Sequence, residues 1–129
     1  MKRLADAFAR AKSEKRAALV AYLTFGDPSP QASIAIVEAT ARAGADVIEL
    51  GVPFSDPSAD GPSIQRAMER ALAAGGSLSG AIDAVAELRR RGLATPIVLF
   101  GYYNPILQRG LARARAWSSA RAAARAPAG

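Results

Sequence analysis

Three short apolar runs separated by helix-patterned segments constrain this chain most. They are residues 18–25 (Ala-Leu-Val-Ala-Tyr-Leu-Thr-Phe), 47–52 (Val-Ile-Glu-Leu-Gly-Val) and 97–100 (Ile-Val-Leu-Phe). Each is too short for a helix, rich in β-branched or aromatic residues, and bounded by Gly, Pro or Asp, which predicts a strand. The text between them carries helix signals. After Gly26-Asp27-Pro28, Ser29 and Pro30 offer an N-cap and a first helical residue, and Gly44 a left-handed stop. Pro62 opens a second stretch, Ile64 to about Ala74, halted by Gly75-Gly76. Ser77 or Ser79 caps a third, on which Ala81, Ile82, Val85 and Leu88 share a face before Gly92 ends it. Upstream, Leu4, Phe8 and Ala11 recur at helical spacing and predict a short amphipathic helix lying on the domain. Strand–helix alternation implies an α/β fold with a parallel sheet. The near-continuous apolarity of the strands implies cover on both faces.

Composition narrows the chemistry. The 129 residues are half hydrophobic and 22% charged, which suits one globular domain. They include neither cysteine nor histidine, so Ser-His and Cys-His catalysis, disulfides and His- or Cys-ligated metals are excluded. Acid–base work falls to carboxylates, Lys, Tyr or water. The net charge of +6 suggests nucleic acid, but its distribution does not. Through Leu88 there are nine Lys/Arg against eleven Asp/Glu, whereas eight arginines and no acid follow Glu87. No apolar run is long enough to span a membrane, and Met1 to Arg16 has no apolar signal core, so a cytoplasmic location is expected.

One carboxylate interrupts the second strand. Glu49 lies near its C-terminal end, where the sites of barrels and open α/β sheets form, and an ionised Glu in a buried strand is costly unless it is paired or used. Eleven residues later Asp60 sits on a loop rich in Pro, Gly, Ser and Asp. It reads either as the second member of an acid–base pair or as an Asx-turn or helix cap before Pro62. Asp56 in Ser55-Asp56-Pro57 and Asp27 in Gly26-Asp27-Pro28 read first as turn residues. Tyr22, Phe25, Phe100 and Tyr102 are core aromatics unless they point to the top of the sheet, where they would wall a flat aromatic ligand. Gly75-Gly76 lacks the following Lys and Ser/Thr of a phosphate loop.

These residues carry a resemblance. Leu23-Thr24-Phe25-Gly26-Asp27-Pro28, Gly44 through Pro57, Ala59-Asp60-Gly61-Pro62, Ile64-Gln65 and Tyr102 with Asn104-Pro105-Ile106-Leu107 resemble the tryptophan synthase alpha chain over about residues 1–111. The resemblance implies a (β/α)₈ TIM barrel that cleaves indole-3-glycerol phosphate to indole and glyceraldehyde 3-phosphate, a carbon–carbon lyase reaction of tryptophan biosynthesis. It implies that Glu49 is the catalytic acid/base and that Asp60 stabilises charge developing at the indole nitrogen. Tyr22, Phe100 and Tyr102 match pocket-lining positions, and Pro53 and Asp56 fall on the loop facing the partner. That partner would be a beta chain in an alpha2-beta2 tetramer. It would hold the pyridoxal phosphate, with no cofactor or metal in this chain.

The family pattern fades near Gly110 to Arg113. The segment 110–129 has nine alanines, four arginines and no acid. Residues 1–110 are therefore expected to form a partial barrel of about three β/α units. Residues 111–129 are expected to be an Ala/Arg-rich tail, frayed or disordered, and a shifted reading frame in a GC-rich gene is one origin for it. Strands four to eight, and the phosphate site built after strands seven and eight, are not recognised, so these residues alone are expected to be inactive. The alternatives are a non-catalytic module that docks a beta chain, another phosphosugar TIM-barrel enzyme, and a basic nucleic-acid binder. No lysine on a strand supports Schiff-base chemistry for the second, and no aromatic interleaving supports the third.

Overall fold

A computed structural model describes residues 2–110. In chain order it contains α1 (Lys2–Ser13), β1 (Val20–Thr24), α2 (Pro30–Arg42), β2 (Val47–Gly51), α3 (Pro62–Ala73), α4 (Leu78–Arg90), β3 (Ile97–Phe100) and α5 (Tyr103–Arg109). The strands form one parallel sheet in the order β1-β2-β3. Ser29 caps α2, its side chain accepting from the Ala32 N–H at 3.2 Å with Pro30 behind it, and Gly44 follows at φ +109°, which a side chain rarely adopts. Ser77, not Ser79, is the N-cap of α4 and accepts from the Gly80 N–H at 3.1 Å.

The core lies where α2 and α4 cover one face of the sheet. Ile48 and Leu50 of β2 have no exposed surface, and Val37, Ala81, Ala84 and Leu88 pack with them. Phe25 is only 2% exposed and belongs to this core, where it lies against Gly80. It is not a ligand wall.

Two expectations change. The buried stripe of α1 is Ala7 and Ala11, whereas Phe8 is exposed. The helix is held by Arg10, which hydrogen-bonds Asp46 at 3.0 Å at the start of β2, and this attachment turns the small residues inward. The strands are not covered on both faces: Val98, Leu99 and Phe100 of β3 and Val20 of β1 are exposed, because among the described residues both outer strands lack a further neighbour. Residues 103–109 form α5, an element the sequence signals did not announce. Pro105 falls in its first turn, where a missing N–H is tolerated. The tail expected over 111–129 lies outside the described residues. Among those described, no helix is long and apolar enough to cross a membrane.

Asp46 anchors the N-terminal end of the sheet. It is buried, and its carboxylate accepts from Arg16 Nη1 at 2.6 Å, Arg16 Nη2 at 2.9 Å, Arg10 Nη2 at 3.0 Å and the Leu19 N–H at 2.9 Å. These donors, Arg16 foremost, hold its pKa well below the ordinary carboxylate range.

Candidate active site

Parallel pairing brings three strands into one frame. Tyr22, Glu49 and Val98 are register partners, as are Thr24, Gly51 and Phe100 two residues further on. Side chains alternate across a strand, so these six positions share the face opposite Ile48 and Leu50. Glu49 is therefore half-buried on the open face of the sheet and not inside the core. Among the described residues its carboxylate forms no hydrogen bond or ion pair.

The loop after β2 brings in the second acid. The N-cap of α3 is Gly61, with no side-chain capping bond, so Asp60 does not cap that helix. Asp60 Oδ2 instead accepts a 2.8 Å hydrogen bond from the Tyr102 hydroxyl. The same hydroxyl accepts from the Ala59 N–H at 2.9 Å, and the Tyr102 ring stacks on Phe54 with centroids 5.0 Å apart. Desolvation and the bond to Asp60 both raise the Tyr102 pKa, which keeps it a donor. Gln65 closes the loop from α3, its Nε2 donating to the carbonyls of Asp60 at 2.8 Å and Pro57 at 3.3 Å.

Tyr22 and Phe100 meet edge to face across Gly51, with ring centroids 6.1 Å apart and planes at 87°. Burial raises the Tyr22 pKa, and the negative charges of Asp60 and Glu49 add to the effect. One hydroxyl thus lies in the field of both carboxylates. A groove of about 360 Å³ runs beside Tyr22 and Thr24 between α2 and the start of α3, reaching Asp27, Ser33 and Ile64 but neither Glu49 nor Asp60.

Two turn acids behave as structure. Asp27 is clamped by Arg70, whose Nε and Nη2 donate at 2.9 and 2.7 Å, and Arg70 lowers the Asp27 pKa. Asp56 is exposed on the loop and accepts from the Ser55 hydroxyl at 2.6 Å. Pro53 is buried beside Gly76, so of the two expected interface residues only Asp56 presents a surface. Phe54 and Gln65 received no role from the sequence reading. Their contribution is tertiary, although Gln65 stands in the recognised motif, and that was the available signal.

The arrangement offers two carboxylates, two tyrosine hydroxyls and an aromatic wall on the sheet and the loops that follow β2 and β3. This suits proton transfer on a flat aromatic substrate. A family profile described as tryptophan synthase alpha chain matches residues 8–123, and so runs past the 111 read from motifs. The chain is 53% identical over 113 residues to the tryptophan synthase alpha chain of Xanthomonas axonopodis pv. citri, covering 88% of this chain and 42% of that one. It is 55% identical over 109 residues to that of Bordetella pertussis, covering 84% and 38%. It therefore spans about two fifths of the length of these curated relatives. Among solved structures, tryptophan synthase subunit alpha from Legionella pneumophila str. Paris superposes with a TM-score of 0.88 at 39% identity, over 92% of this chain and 45% of that one. The aminoacrylate-bound tryptophan synthase of M. tuberculosis gives 0.81 at 40% identity, over 92% and 48%. The three parallel strands are accordingly part of a TIM barrel, and the chain belongs to the tryptophan synthase alpha chain family.

Proposed function

We propose that this chain contributes the acid–base half of a carbon–carbon lyase site, cleaving indole-3-glycerol phosphate to indole and glyceraldehyde 3-phosphate. The observation that carries the reading is Glu49 in register with Tyr22 on the face where Tyr22 meets Phe100, with Asp60 held by Tyr102 on the loop after the same strand. Glu49, protonated, delivers its proton to the indole ring carbon that bears the side chain. As the side-chain hydroxyl gives up its own proton, the C–C bond breaks, its electron pair returns to the ring, and an aldehyde forms. Glu49 is then ready to take that hydroxyl proton, so acid and base are one residue. Asp60, held by Tyr102, faces the positive charge that develops at the indole nitrogen. Tyr22, Phe100 and Tyr102 wall the ring.

A beta chain holding pyridoxal phosphate would receive the indole, docking at the loop that carries Asp56 and is seated by Pro53, within an alpha2-beta2 tetramer in the cytoplasm. This chain itself would need no cofactor. The test is Glu49→Gln and Asp60→Asn assayed for indole release with the beta chain present. Glu49→Gln should abolish release while beta-chain binding survives, and Asp60→Asn should lower it by about 10²-fold or more. Retained release in Glu49→Gln would refute the lyase assignment. Beta-chain binding with no indole release even in the unsubstituted chain would favour a docking module.

A further inference from the structure

Among the described residues the Tyr22 hydroxyl is buried and has no hydrogen-bond partner. Thr24, on the same strand, opposes the rise in its pKa more than either carboxylate adds to it, yet does not reach the hydroxyl in hydrogen-bond geometry. Buried hydroxyls almost always find a partner, because leaving one unpaired costs stability. The neighbourhood is nevertheless shaped to hold this one. A Cβ on Gly51 would fall 2.6 Å from Tyr22 Cζ, so the phenol lies across a position where only glycine leaves room. Phe100 packs against the ring, and Tyr22 is the register partner of Glu49 on the same face of the sheet. Burial and the two nearby carboxylates keep the hydroxyl protonated, hence a donor.

We propose that Tyr22 is a specificity-determining residue, not simply an aromatic wall: its hydroxyl donates a hydrogen bond to an oxygen of the substrate's side chain, an acceptor the described residues do not supply. This inference rests on the lyase reading and deepens it. Indole offers no in-plane acceptor, since its nitrogen bears hydrogen and its lone pair belongs to the ring. The glycerol chain of indole-3-glycerol phosphate carries hydroxyl oxygens. Tyr22 thus favours the uncleaved substrate over the indole product, and an unpaired donor is left behind once the side chain departs.

The experiment uses the full chain with the beta chain, in a Glu49→Gln background that keeps substrate intact. Calorimetry compares indole-3-glycerol phosphate and indole before and after Tyr22→Phe, and urea unfolding compares the same two proteins. Loss of the hydroxyl should weaken binding of the glycerol phosphate by about tenfold and leave indole within about twofold. The urea midpoint should hold or rise, since a buried unpaired group has been removed. Unchanged affinity for the glycerol phosphate, a parallel loss for both ligands, or a lowered urea midpoint would each overturn the inference. Failure of the Glu49→Gln parent to bind either ligand, or full indole release by that parent, would overturn the lyase reading and this inference with it. Abolished release with an unchanged Tyr22→Phe affinity would overturn this inference alone.

Discussion

The Tyr102 hydroxyl joins Asp60 Oδ2 at 2.8 Å and also accepts the Ala59 N–H at 2.9 Å, so one side chain from beyond β3 fixes both the carboxylate and the backbone of the loop after β2. That loop needs such a tie, because Ser55, Asp56, Ser58 and Ala59 are exposed and lack core contacts of their own.

Tyr102→Phe should therefore free Asp60 and loosen the loop without unfolding the protein. Amide exchange at Ala59 is expected to rise about tenfold, with little change at Ile48 in the strand core. Equal exchange at Ala59 in the two proteins would show that the hydroxyl does not hold the loop.

Gly51→Ala should destabilise far more than its one carbon suggests, because the new methyl meets the Tyr22 phenol. Overpacking of this kind costs about 1–3 kcal/mol. Gly61→Ala is the control, since nothing lies within 4 Å of its Cβ and its φ is −74°. It should cost less than about 1 kcal/mol, mostly through helix capping. Denaturant midpoints of the two variants check the order, and equal midpoints would contradict the packing.

Asp46→Asn should lower the melting temperature on the order of 10 °C at neutral pH, because the buried carboxylate loses its charge-assisted bonds to the solvent-exposed Arg10 and Arg16. The pH dependence follows from the direction of the shift. The folded pKa lies below the unfolded value of about 3.9, so the contribution of Asp46 is fully present above that value and is lost as pH falls through the folded pKa. The gap between the native protein and the Asp46→Asn variant should accordingly narrow below about pH 4. A gap constant from about pH 7 to about pH 3 would exclude the ionised carboxylate as its source.

The 129 residues assayed alone should release no measurable indole. In them Val98 and Phe100 stand exposed beside Glu49, so water reaches the face where the proton transfer would occur. Appreciable turnover by the isolated chain would refute this.

Local signals made much of the architecture legible. Ser29-Pro30 and Gly44 bound α2, and the apolar runs place all three strands within a residue or two of their ends, because caps, stops and strand character depend on neighbouring residues. The carboxylate in the second strand was equally plain. Its surroundings were not, since they depend on pairings far apart in the chain. The sequence left Asp60 as either a site acid or a helix cap, and that choice turned on Tyr102, forty-two residues away. Phe25 and Tyr22 look alike as aromatics in one strand, yet one lies against Gly80 in the core and the other across Gly51 on the open face. Phe8 matched a helical stripe that Ala7 and Ala11 occupy, because Arg10 and Asp46 orient α1. The sequence alone determined which elements form, in what order, and which acids they carry, through short-range backbone preferences. Which side chains meet was decided only by the tertiary structure, because the parallel register and the packing of the loops bring together residues that no local rule connects.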